Sequence, residues 1–169
     1  MGLEIIKGDI TKIKADAIVN AANTTLLGGG GVDGAIHAAA GPGLHRECQT
    51  LGGCATGQAK LTQGYQLPAR FVIHTPGPVW RGGENGEAAL LESCYRESLA
   101  LAVTRGCVTV AFPSISTGVY RFPLVLASGI AVRTIRGILA RDTILRRVMI
   151  VCLDEHTKQF YDDALEQYG

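Results

Sequence analysis

The sequence has 169 residues, of which 47% are hydrophobic and 18% are charged; this composition supplies a buried core and excludes a disordered chain. Sixteen basic and fifteen acidic side chains leave a net charge of +1, so the basic excess typical of proteins that bind nucleic-acid backbones is absent. We therefore expect one domain spanning residues 1–169 and do not expect a nucleic acid as a partner.

Apolar, β-branched runs alternate along the chain with segments of helical length. Strands are predicted over Leu3–Lys7, Ala17–Asn20, Lys60–Gly64, Phe71–Thr75, Thr109–Phe112 and Val148–Leu153. Helices are predicted over Val32–Ala40, Leu44–Leu51, Glu87–Arg105, Pro123–Ala140 and Glu155–Tyr168. Because several strands are almost continuously apolar, as strands covered on both faces are, the alternation predicts an α/β fold with a sheet between two helical layers.

Targeting signals and cysteine pairs are not evident in the sequence. Its longest apolar runs are shorter than the roughly 18 residues of a membrane span, and the N-terminal segment is unlike a signal peptide. We therefore expect a soluble, cytoplasmic protein with no membrane partner. The five cysteines include no Cys-x-x-Cys pair, which favours reduced, mostly buried thiols. A metal site from His45, Cys48 and Cys54 stays open as an alternative but lacks a recognisable fourth ligand; no metal or cofactor is expected.

The first informative motif is Asn20-Ala21-Ala22-Asn23, which leads into four consecutive glycines, Gly28–Gly31, and then into a helix. Glycine lets backbone N–H groups turn towards a ligand without a Cβ in the way. The N-terminus of the following helix adds a partial positive charge that favours an anion. The motif therefore predicts a phosphate cradle that needs no lysine, and the alternative is a flexible surface loop.

The spacing Gly29-x-Gly31-x-x-Gly34 also matches the dinucleotide-binding fingerprint. That fingerprint requires an acidic residue about 20 residues further on, but the sequence around Gly53 contains no acid. A Gly-Lys-Ser/Thr phosphate loop is also absent from the sequence. These differences disfavour a nicotinamide-dependent oxidoreductase and a P-loop nucleoside triphosphatase.

A second small-residue loop, Ser114–Tyr120, follows another buried strand. Ligands of open α/β sheets bind beyond the carboxyl ends of the strands, so two such loops at neighbouring strands can enclose a diphosphate. Tyr120 would place a flat apolar face with a polar tip beside it. The alternative is a helix-capping turn with a tyrosine in the core.

Asp9 follows the first strand within Gly8-Asp9-Ile10-Thr11. The local sequence favours a carboxylate that caps a short turn. The functional alternative is a carboxylate that accepts a hydrogen bond from an adenine amino group.

Taken together, these motifs resemble the macrodomain family, and especially its MacroD-type branch of bacterial O-acetyl-ADP-ribose deacetylases. The resemblance rests on Gly8–Thr11, Asn20–Asn23, Gly28–His37, His74–Trp80 and Ser116–Tyr120. It implies a three-layer α/β/α sandwich with a mixed, mainly parallel six-stranded sheet, and it implies ADP-ribose as the ligand.

The resemblance also implies a role for individual residues. Asp9 and the Ile10 amide would hold adenine, and Leu153 would cover it. Asn23 would bind the distal ribose, Tyr120 would pack against that sugar, and Asp33 would be the active-site acid or base. The diphosphate would lie against Gly30, Gly31, Val32, Ser116, Thr117, Gly118 and Val119.

Two positions depart from the family pattern. Leu153 stands where relatives often carry an aromatic ring, so stacking on adenine worth about 1–3 kcal/mol would be missing. Arg121 stands where relatives often carry glycine or another uncharged residue, and its side chain would either reach the phosphate or point to solvent. His37 and His74 lie in otherwise structural runs and are predicted to be hydrogen-bonded structural residues rather than bases.

The function implied is hydrolysis of ADP-ribose esters. The expected substrates are O-acetyl-ADP-ribose and ADP-ribose attached to protein Asp or Glu, with Asn23, Asp33 and Tyr120 as the catalytic residues. Expected partners are ADP-ribose, its esters and ADP-ribosylated proteins. Two alternatives remain: a reader that binds ADP-ribose without turnover, and a regulator that contacts a protein or an RNA directly.

Overall fold

The computed structural model describes residues 2–141 and 143–169. Its strands are β1 (Gly2–Lys7), β2 (Ala17–Ala22), β3 (Lys60–Gln63), β4 (Phe71–Pro76), β5 (Thr109–Phe112) and β6 (Arg147–Cys152). Its helices are α1 (Gly31–Ala40), α2 (Pro42–Gln49), α3 (Glu87–Thr104), α4 (Leu124–Leu139) and α5 (Glu155–Tyr168), and a short 3-10 helix spans Ile10–Lys12.

The strands form one six-stranded sheet in the order β1-β6-β5-β2-β4-β3. Every neighbouring pair is parallel except β3 and β4, which are antiparallel. Leu91 of α3, Ile130 of α4 and Tyr161 of α5 belong to one apolar core, and Ile36 of α1 and Leu44 of α2 belong to another. The sheet separates the two cores, so the predicted three-layer α/β/α architecture is confirmed.

Side chains of β2 alternate between these two cores. Ala17 and Val19 pack with α3–α5, whereas Ile18 and Ala22 pack with α1 and α2. Successive side chains of a strand point to opposite faces, and both faces of β2 are covered. This double burial explains why the strand reads as a continuous apolar run.

The predicted boundaries differ from the observed ones by one or two residues at twelve of the 22 ends of helices and strands. β2 continues past Asn20 to Ala22, and α2 begins at Pro42 rather than at Leu44. Proline fits the first turn of a helix because its fixed φ is helical and no N–H is needed there. Pro123 lies one residue before α4, as its N-cap residue, rather than inside the helix. β6 ends at Cys152, so Leu153 lies outside the strand.

No helix in the described ranges combines the length and the apolar character that crossing a membrane requires.

Asp16 connects the beginnings of β2 and β5. Its Oδ2 accepts hydrogen bonds from the backbone N–H groups of Val108, at 2.8 Å, and Thr109, at 3.1 Å. Its own N–H donates to the Oγ1 of Thr109 at 2.8 Å. Partial burial raises the pKa of Asp16, but the hydrogen bonds from Val108 and Thr109 outweigh burial and hold the pKa below its ordinary value. The ionised carboxylate therefore stabilises the fold.

We predict that Asp16→Asn lowers the free energy of unfolding at pH 7 by about 1 kcal/mol, because two charge-assisted hydrogen bonds become neutral ones. A carboxyl group whose pKa is lower in the folded state stabilises the fold above its unfolded pKa of about 3.9, and this contribution disappears as the pH falls through the folded pKa. The deficit of the variant should therefore shrink towards about pH 3, as measured by urea unfolding at both pH values. Asp163→Asn, at an exposed site on α5, is the control. An equal deficit for Asp16→Asn at both pH values would contradict this role.

Candidate functional site

The carboxyl ends of β2 and β5 border a cleft of about 350 Å³, here called the β2–β5 cleft. It is formed by the loop between β2 and α1, the loop between β5 and α4, and one residue after β4. Its lining residues are Ala21, Ala22, Asn23, Gly29, Gly30, Gly31, Val32, Asp33, Gly77, Ser114, Ser116, Gly118, Val119 and Tyr120.

A larger cavity, of about 640 Å³, lies at the opposite edge of the sheet and is lined partly by Arg133, Arg136 and Arg146. We place the functional site in the β2–β5 cleft because a helix N-terminus and a buried carboxylate converge there, as in a ligand site with a few fixed polar groups.

The beginning of α1 faces the cleft. Gly30 is the N-cap residue and makes no side-chain capping bond. The first helical hydrogen bond runs from the N–H of Gly34 to the carbonyl of Gly30, at 3.3 Å. The N–H groups of Gly31, Val32 and Asp33 therefore precede the intrahelical ladder, as in the first turn of any helix. Together with the helix dipole, these groups form a site suited to an anion.

Asn23 holds the glycine-rich loop in shape. Its Oδ1 accepts hydrogen bonds from the Thr25 hydroxyl at 2.6 Å and from the N–H groups of Thr25 and Leu26, both at 3.1 Å. Its Nδ2 donates to the carbonyl of Gly28 at 2.8 Å. Since a side-chain amide has two N–H groups, one N–H of Asn23 remains for a ligand. Asn23 thus both organises the loop and lines the cleft.

Two glycines are required by close approach of the chain. A Cβ at Gly34 would lie 2.5 Å from the carbonyl oxygen of Gly29. A Cβ at Gly29 would lie 3.2 Å from Oδ2 of Asp33 and 3.4 Å from Nδ2 of Asn23. Within the spacing that resembles a dinucleotide fingerprint, Gly34 therefore lets α1 pack against its own loop and Gly29 keeps space beside Asp33.

The loop after β5 is attached to α5 through Ser114. The hydroxyl of Ser114 is 2.6 Å from the Thr117 hydroxyl and 2.6 Å from the Tyr161 hydroxyl. Burial raises the pKa of Tyr161 to about 12, so this phenol stays protonated. Ser116 has a φ of +66°, and its buried Oγ has no hydrogen-bond partner among the described residues. Ser116 lines the cleft, so this unsatisfied hydroxyl is buried in the cleft wall.

Tyr120 lines the cleft, and its backbone carbonyl accepts a hydrogen bond from the N–H of Trp80 at 2.8 Å. The next residue, Arg121, is exposed and has a φ of +62°. Glycine adopts this left-handed conformation at less cost than arginine does, which explains why glycine suits this position. The Arg121 side chain is not among the residues that line the cleft.

Asp33 is the carboxylate of the cleft and is only 5% exposed. Its Oδ1 accepts a hydrogen bond from Nδ2 of Asn20 at 2.8 Å. Its place in the first turn of α1 favours a negative charge.

His37 is a neighbour of this carboxylate. Nε2 of His37 lies 3.4 Å from Oδ1 of Asp33 but is not aligned for a hydrogen bond. Burial lowers the pKa of His37 more than the Asp33 charge raises it, and His45 lowers it further.

The predicted site residues fall into two groups in the structure. The cleft brings together Asn23, Gly30, Gly31, Val32, Asp33, Ser116, Gly118, Val119 and Tyr120. Asp9, Ile10, Thr117 and Leu153 lie outside its lining. Of these, Asp9 and Leu153 follow Lys7 and Cys152, which are paired residues at the ends of β1 and β6. They therefore occupy the same edge of the sheet, next to the β5 side of the cleft.

Asp9 caps the 3-10 helix, so the local interpretation of this carboxylate is confirmed. Its Oδ1 accepts from the Thr11 hydroxyl at 2.6 Å and from the Thr11 N–H at 3.0 Å. Both bonds lower the pKa of Asp9. Ile10 is buried, whereas the Leu153 side chain is 68% exposed. Leu153 therefore has open space around it.

Sequence patterns did not predict roles for Asn20, Gly77 and Ser114. Asn20 is fully buried and contacts Asp33; an amide inside an apolar strand was the available signal, because a buried amide needs partners. Gly77 gives space to the second loop, since a Cβ there would collide with Oγ of Ser116. Nothing in the sequence alone indicates that contact.

All the cysteines are free and buried, as predicted for reduced thiols. Within residues 2–141 and 143–169, no group of three His, Cys, Asp or Glu side chains is arranged to hold a metal ion. The grouping of His45, Cys48 and Cys54 considered from the sequence is therefore not formed. Burial, together with the charges of Glu47 and Asp33, raises the pKa of Cys48 to about 11.

The Macro domain family model matches residues 19–131, which include both loops of the cleft. This chain belongs to the Macro domain family. A macro domain-containing protein of Chlorobaculum tepidum is 58% identical to this macrodomain over 163 residues, which cover 96% of this chain and 95% of that protein. A Salmonella newport protein named O-acetyl-ADP-ribose deacetylase is 52% identical over 171 residues, which cover 99% of this chain and 96% of that protein.

Solved macrodomain structures share the fold closely. An Oceanobacillus iheyensis macrodomain with ADP superposes with a TM-score of 0.94 at 44% identity, covering 98% of this chain and 90% of that one. A Trypanosoma brucei macrodomain in complex with ADP-ribose has a TM-score of 0.91 at 45% identity, covering 97% and 69% of the two chains.

We predict that Gly34→Ala destabilises this macrodomain by about 1–3 kcal/mol, because the new methyl group meets a backbone carbonyl that cannot move freely. Gly137→Ala is the matched control, since Gly137 is an exposed residue of α4 with open space around its missing Cβ. That control should gain up to about 1 kcal/mol from helix propensity. Urea unfolding of both variants measures the difference, and a stabilised Gly34→Ala would show that the close approach to Gly29 is wrong.

Proposed function

We propose that residues 1–169 act as one macrodomain that binds ADP-ribose and hydrolyses O-acetyl-ADP-ribose to acetate and ADP-ribose. The named activity of the Salmonella relative and the ligands of the solved relatives support this proposal. The observation that carries it is the Asp33 carboxylate, which is buried in the cleft wall one residue beyond the amides of Gly31 and Val32, which precede the hydrogen-bond ladder of α1.

The order of the strands supports one direction for the ligand. The diphosphate would lie between the N-terminus of α1 and the loop Ser116–Val119, where backbone N–H groups are available. The adenine end would extend along the sheet edge towards Asp9, Ile10 and Leu153. The distal ribose would then lie towards Asn23 and Tyr120, within reach of Asp33.

In this arrangement, Oδ2 of Asp33 accepts a proton from water as the water oxygen attacks the acetyl carbon. The bond between the acetyl carbon and the ribose oxygen breaks, and the ribose oxygen takes up the proton that Asp33 accepted from water, which regenerates the Asp33 carboxylate and releases acetic acid that ionises to acetate. Asn23 would donate its remaining N–H to the ribose, and Tyr120 would pack against the sugar. Fixing the ligand through its phosphates places the ester beside the carboxylate, which lowers the entropic cost of the reaction.

A second substrate class follows from the same bond. ADP-ribose attached to a protein Asp or Glu through its carboxyl group is also an acyl ester of the sugar. Val119 is 92% exposed at the edge of the cleft, so an acyl group larger than acetyl could extend into solvent there. We therefore include removal of ADP-ribose from acidic residues, with ADP-ribosylated proteins as partners.

A cytoplasmic location is also part of the proposal, and the free thiols support it.

Asp33→Ala separates an enzyme from a reader. Turnover of O-acetyl-ADP-ribose should fall by about 10²–10⁴-fold, the usual loss when a general base is removed. The Kd for ADP-ribose should stay within about tenfold, or about 1.4 kcal/mol, because a carboxylate near phosphates contributes little to affinity. Mass spectrometry and calorimetry in the presence of EDTA measure both constants, with Asp163→Ala on α5 as the control.

Each outcome of that experiment has one meaning. Unchanged turnover in Asp33→Ala would contradict the role of Asp33. An unaltered protein that binds ADP-ribose but turns over neither O-acetyl-ADP-ribose nor ADP-ribosylated glutamate would be a reader.

Leu153→Tyr should tighten ADP-ribose binding by about 1–3 kcal/mol through stacking on adenine. The exposed position of Leu153 gives a larger ring space to lie flat. Ile144→Tyr, at an exposed site just before β6 at the opposite edge, is the control and should leave the Kd unchanged. Equal affinities for both variants and the unaltered protein would place adenine elsewhere.

A further inference from the structure

A line of four buried polar side chains crosses the layer between the sheet and α1. It consists of Thr62 on β3, His74 on β4, Asn20 on β2 and Asp33 on α1, and we refer to it as the His74 chain. Oγ1 of Thr62 is 2.9 Å from Nε2 of His74, and Nδ1 of His74 is 3.1 Å from Nδ2 of Asn20. Nδ2 of Asn20 is 2.8 Å from Oδ1 of Asp33. Only Asp33 reaches the cleft lining.

The parallel pairing of β2 and β4 places Asn20 next to His74 in the His74 chain. Asn20 and His74 are direct partners in the strand register, two residues after the partners Ile18 and Val72. Ile18 and Val72 belong to the apolar core under α1 and α2, so the polar groups lie among apolar neighbours. Hydrogen-bonded polar groups in such a layer add little net stability, and apolar groups of the same shape can replace them at nearly no cost.

The hydrogen bonds of the His74 chain run outwards from the Asn20 amide, to Asp33 on one side and to His74 on the other. The two N–H groups of the Asn20 amide donate to Asp33 and to Nδ1 of His74, so Nδ1 must carry no proton. The proton of the ring is then on Nε2 and is donated to the hydroxyl of Thr62. That hydroxyl in turn donates to the carbonyl of Gln63, at 3.1 Å.

The surroundings of His74 keep the ring neutral. Burial, with a smaller effect of His37, lowers the pKa of His74 to about 3. Sγ of Cys48 lies 3.8 Å from Nε2, and the raised pKa of Cys48, about 11, keeps that group an uncharged thiol. At neutral pH the ring is therefore an acceptor on one side and a donor on the other.

The Asn20 amide has one usable orientation. Its Oδ1 is buried and has no hydrogen-bond partner in the described part of the chain. Reversing the amide would turn this oxygen towards the Asp33 carboxylate and the lone pair of Nδ1, which are both acceptors. The unpaired Oδ1 of Asn20 lowers the stability of the fold. The structure therefore keeps the Asn20 amide in one orientation at the expense of one unsatisfied buried oxygen.

This amide determines which oxygen of Asp33 is available. Oδ1 is held by Asn20, whereas Oδ2 lies next to the position that a Cβ of residue 29 would occupy, and Nδ2 of Asn23 borders the same position. Gly29 and Asn23 both line the cleft. A carboxylate free to rotate would lose this preference, and small displacements of a reacting group cost rate.

We propose that His74 is a positioning residue for hydrolysis: by accepting a hydrogen bond from Asn20, it fixes the amide that orients the Asp33 carboxylate, without contacting the ligand. The inference rests on the proposed hydrolase function. Under this inference the reaction also requires a residue of β4. This strand lies on one side of β2, and β5, whose loop forms the other wall of the cleft, lies on the opposite side.

Two variants of similar size separate the two sides of the ring. His74→Asn can place an amide oxygen near the position of Nδ1, which keeps an acceptor for Asn20 but loses the bond to Thr62. His74→Gln reaches the position of Nε2, which keeps the Thr62 bond but removes that acceptor. We expect His74→Gln to lower kcat on O-acetyl-ADP-ribose by tenfold or more with the Kd for ADP-ribose within about threefold. His74→Asn should keep kcat within about threefold of the unaltered protein.

Equal kcat losses in both variants, or equal kcat values in both variants and the unaltered protein, would overturn the inference. If the unaltered protein does not hydrolyse O-acetyl-ADP-ribose at all, the proposed function is wrong and the inference is wrong with it. If the unaltered protein hydrolyses the ester and His74→Gln leaves kcat unchanged, only the inference is contradicted.

A measurement on the unaltered protein keeps the test independent of variant folding. Nitrogen-15 NMR of the histidine rings distinguishes the two neutral tautomers and the cation. We expect His74 to be the Nε2–H tautomer from about pH 5 to pH 8, both free and with ADP-ribose bound. A protonated Nδ1, in either the other tautomer or the cation, would overturn the inference because Asn20 could no longer donate to it.

Discussion

Five adjacent parallel strands, β1, β6, β5, β2 and β4, end at one edge of the sheet, and the functional region depends on this constraint. Because the strands are parallel, the loops after them must all emerge at that edge. Asp9 and Leu153 follow the first pair, and the two loops of the β2–β5 cleft follow the second. A long ligand with a base, a diphosphate and a sugar can therefore contact successive strand ends without any change in the fold.

The cleft obtains its rigidity from side chains and its donors from the backbone. Asn23 binds three groups of its own loop through one oxygen, and Ser114 attaches the other loop to Tyr161. Glycine is needed where Gly34 approaches Gly29. The loops can therefore offer N–H groups to an anion with little loss of conformational entropy on binding, which agrees with a net charge of only +1.

The layer between the sheet and α1 combines two requirements that oppose each other. Apolar packing of Ile18, Val72 and Ile36 stabilises the fold, whereas the polar line through Asn20 and His74 interrupts that packing. The apolar surroundings have a low dielectric constant, which strengthens a well-aligned hydrogen bond between buried polar groups. A buried polar group without an aligned partner lowers the stability of the fold. We interpret the His74 chain as a support for the Asp33 carboxylate rather than as part of the stabilising core.

The sequence by itself determined the alternation of strands and helices, the glycine-rich loop and the position of Asp33, because periodicity, glycine and helix starts are local properties. It could not determine that Asn20 faces Asp33 and His74, or that Gly77 gives space to Ser116. These contacts are not local properties of the sequence, and the one between Asn20 and His74, which are 54 residues apart, exists only because β2 pairs with β4 in one particular register. A shift of one residue in that register would turn the Asn20 amide to the other face of the sheet. The tertiary structure therefore decided how the carboxylate is held.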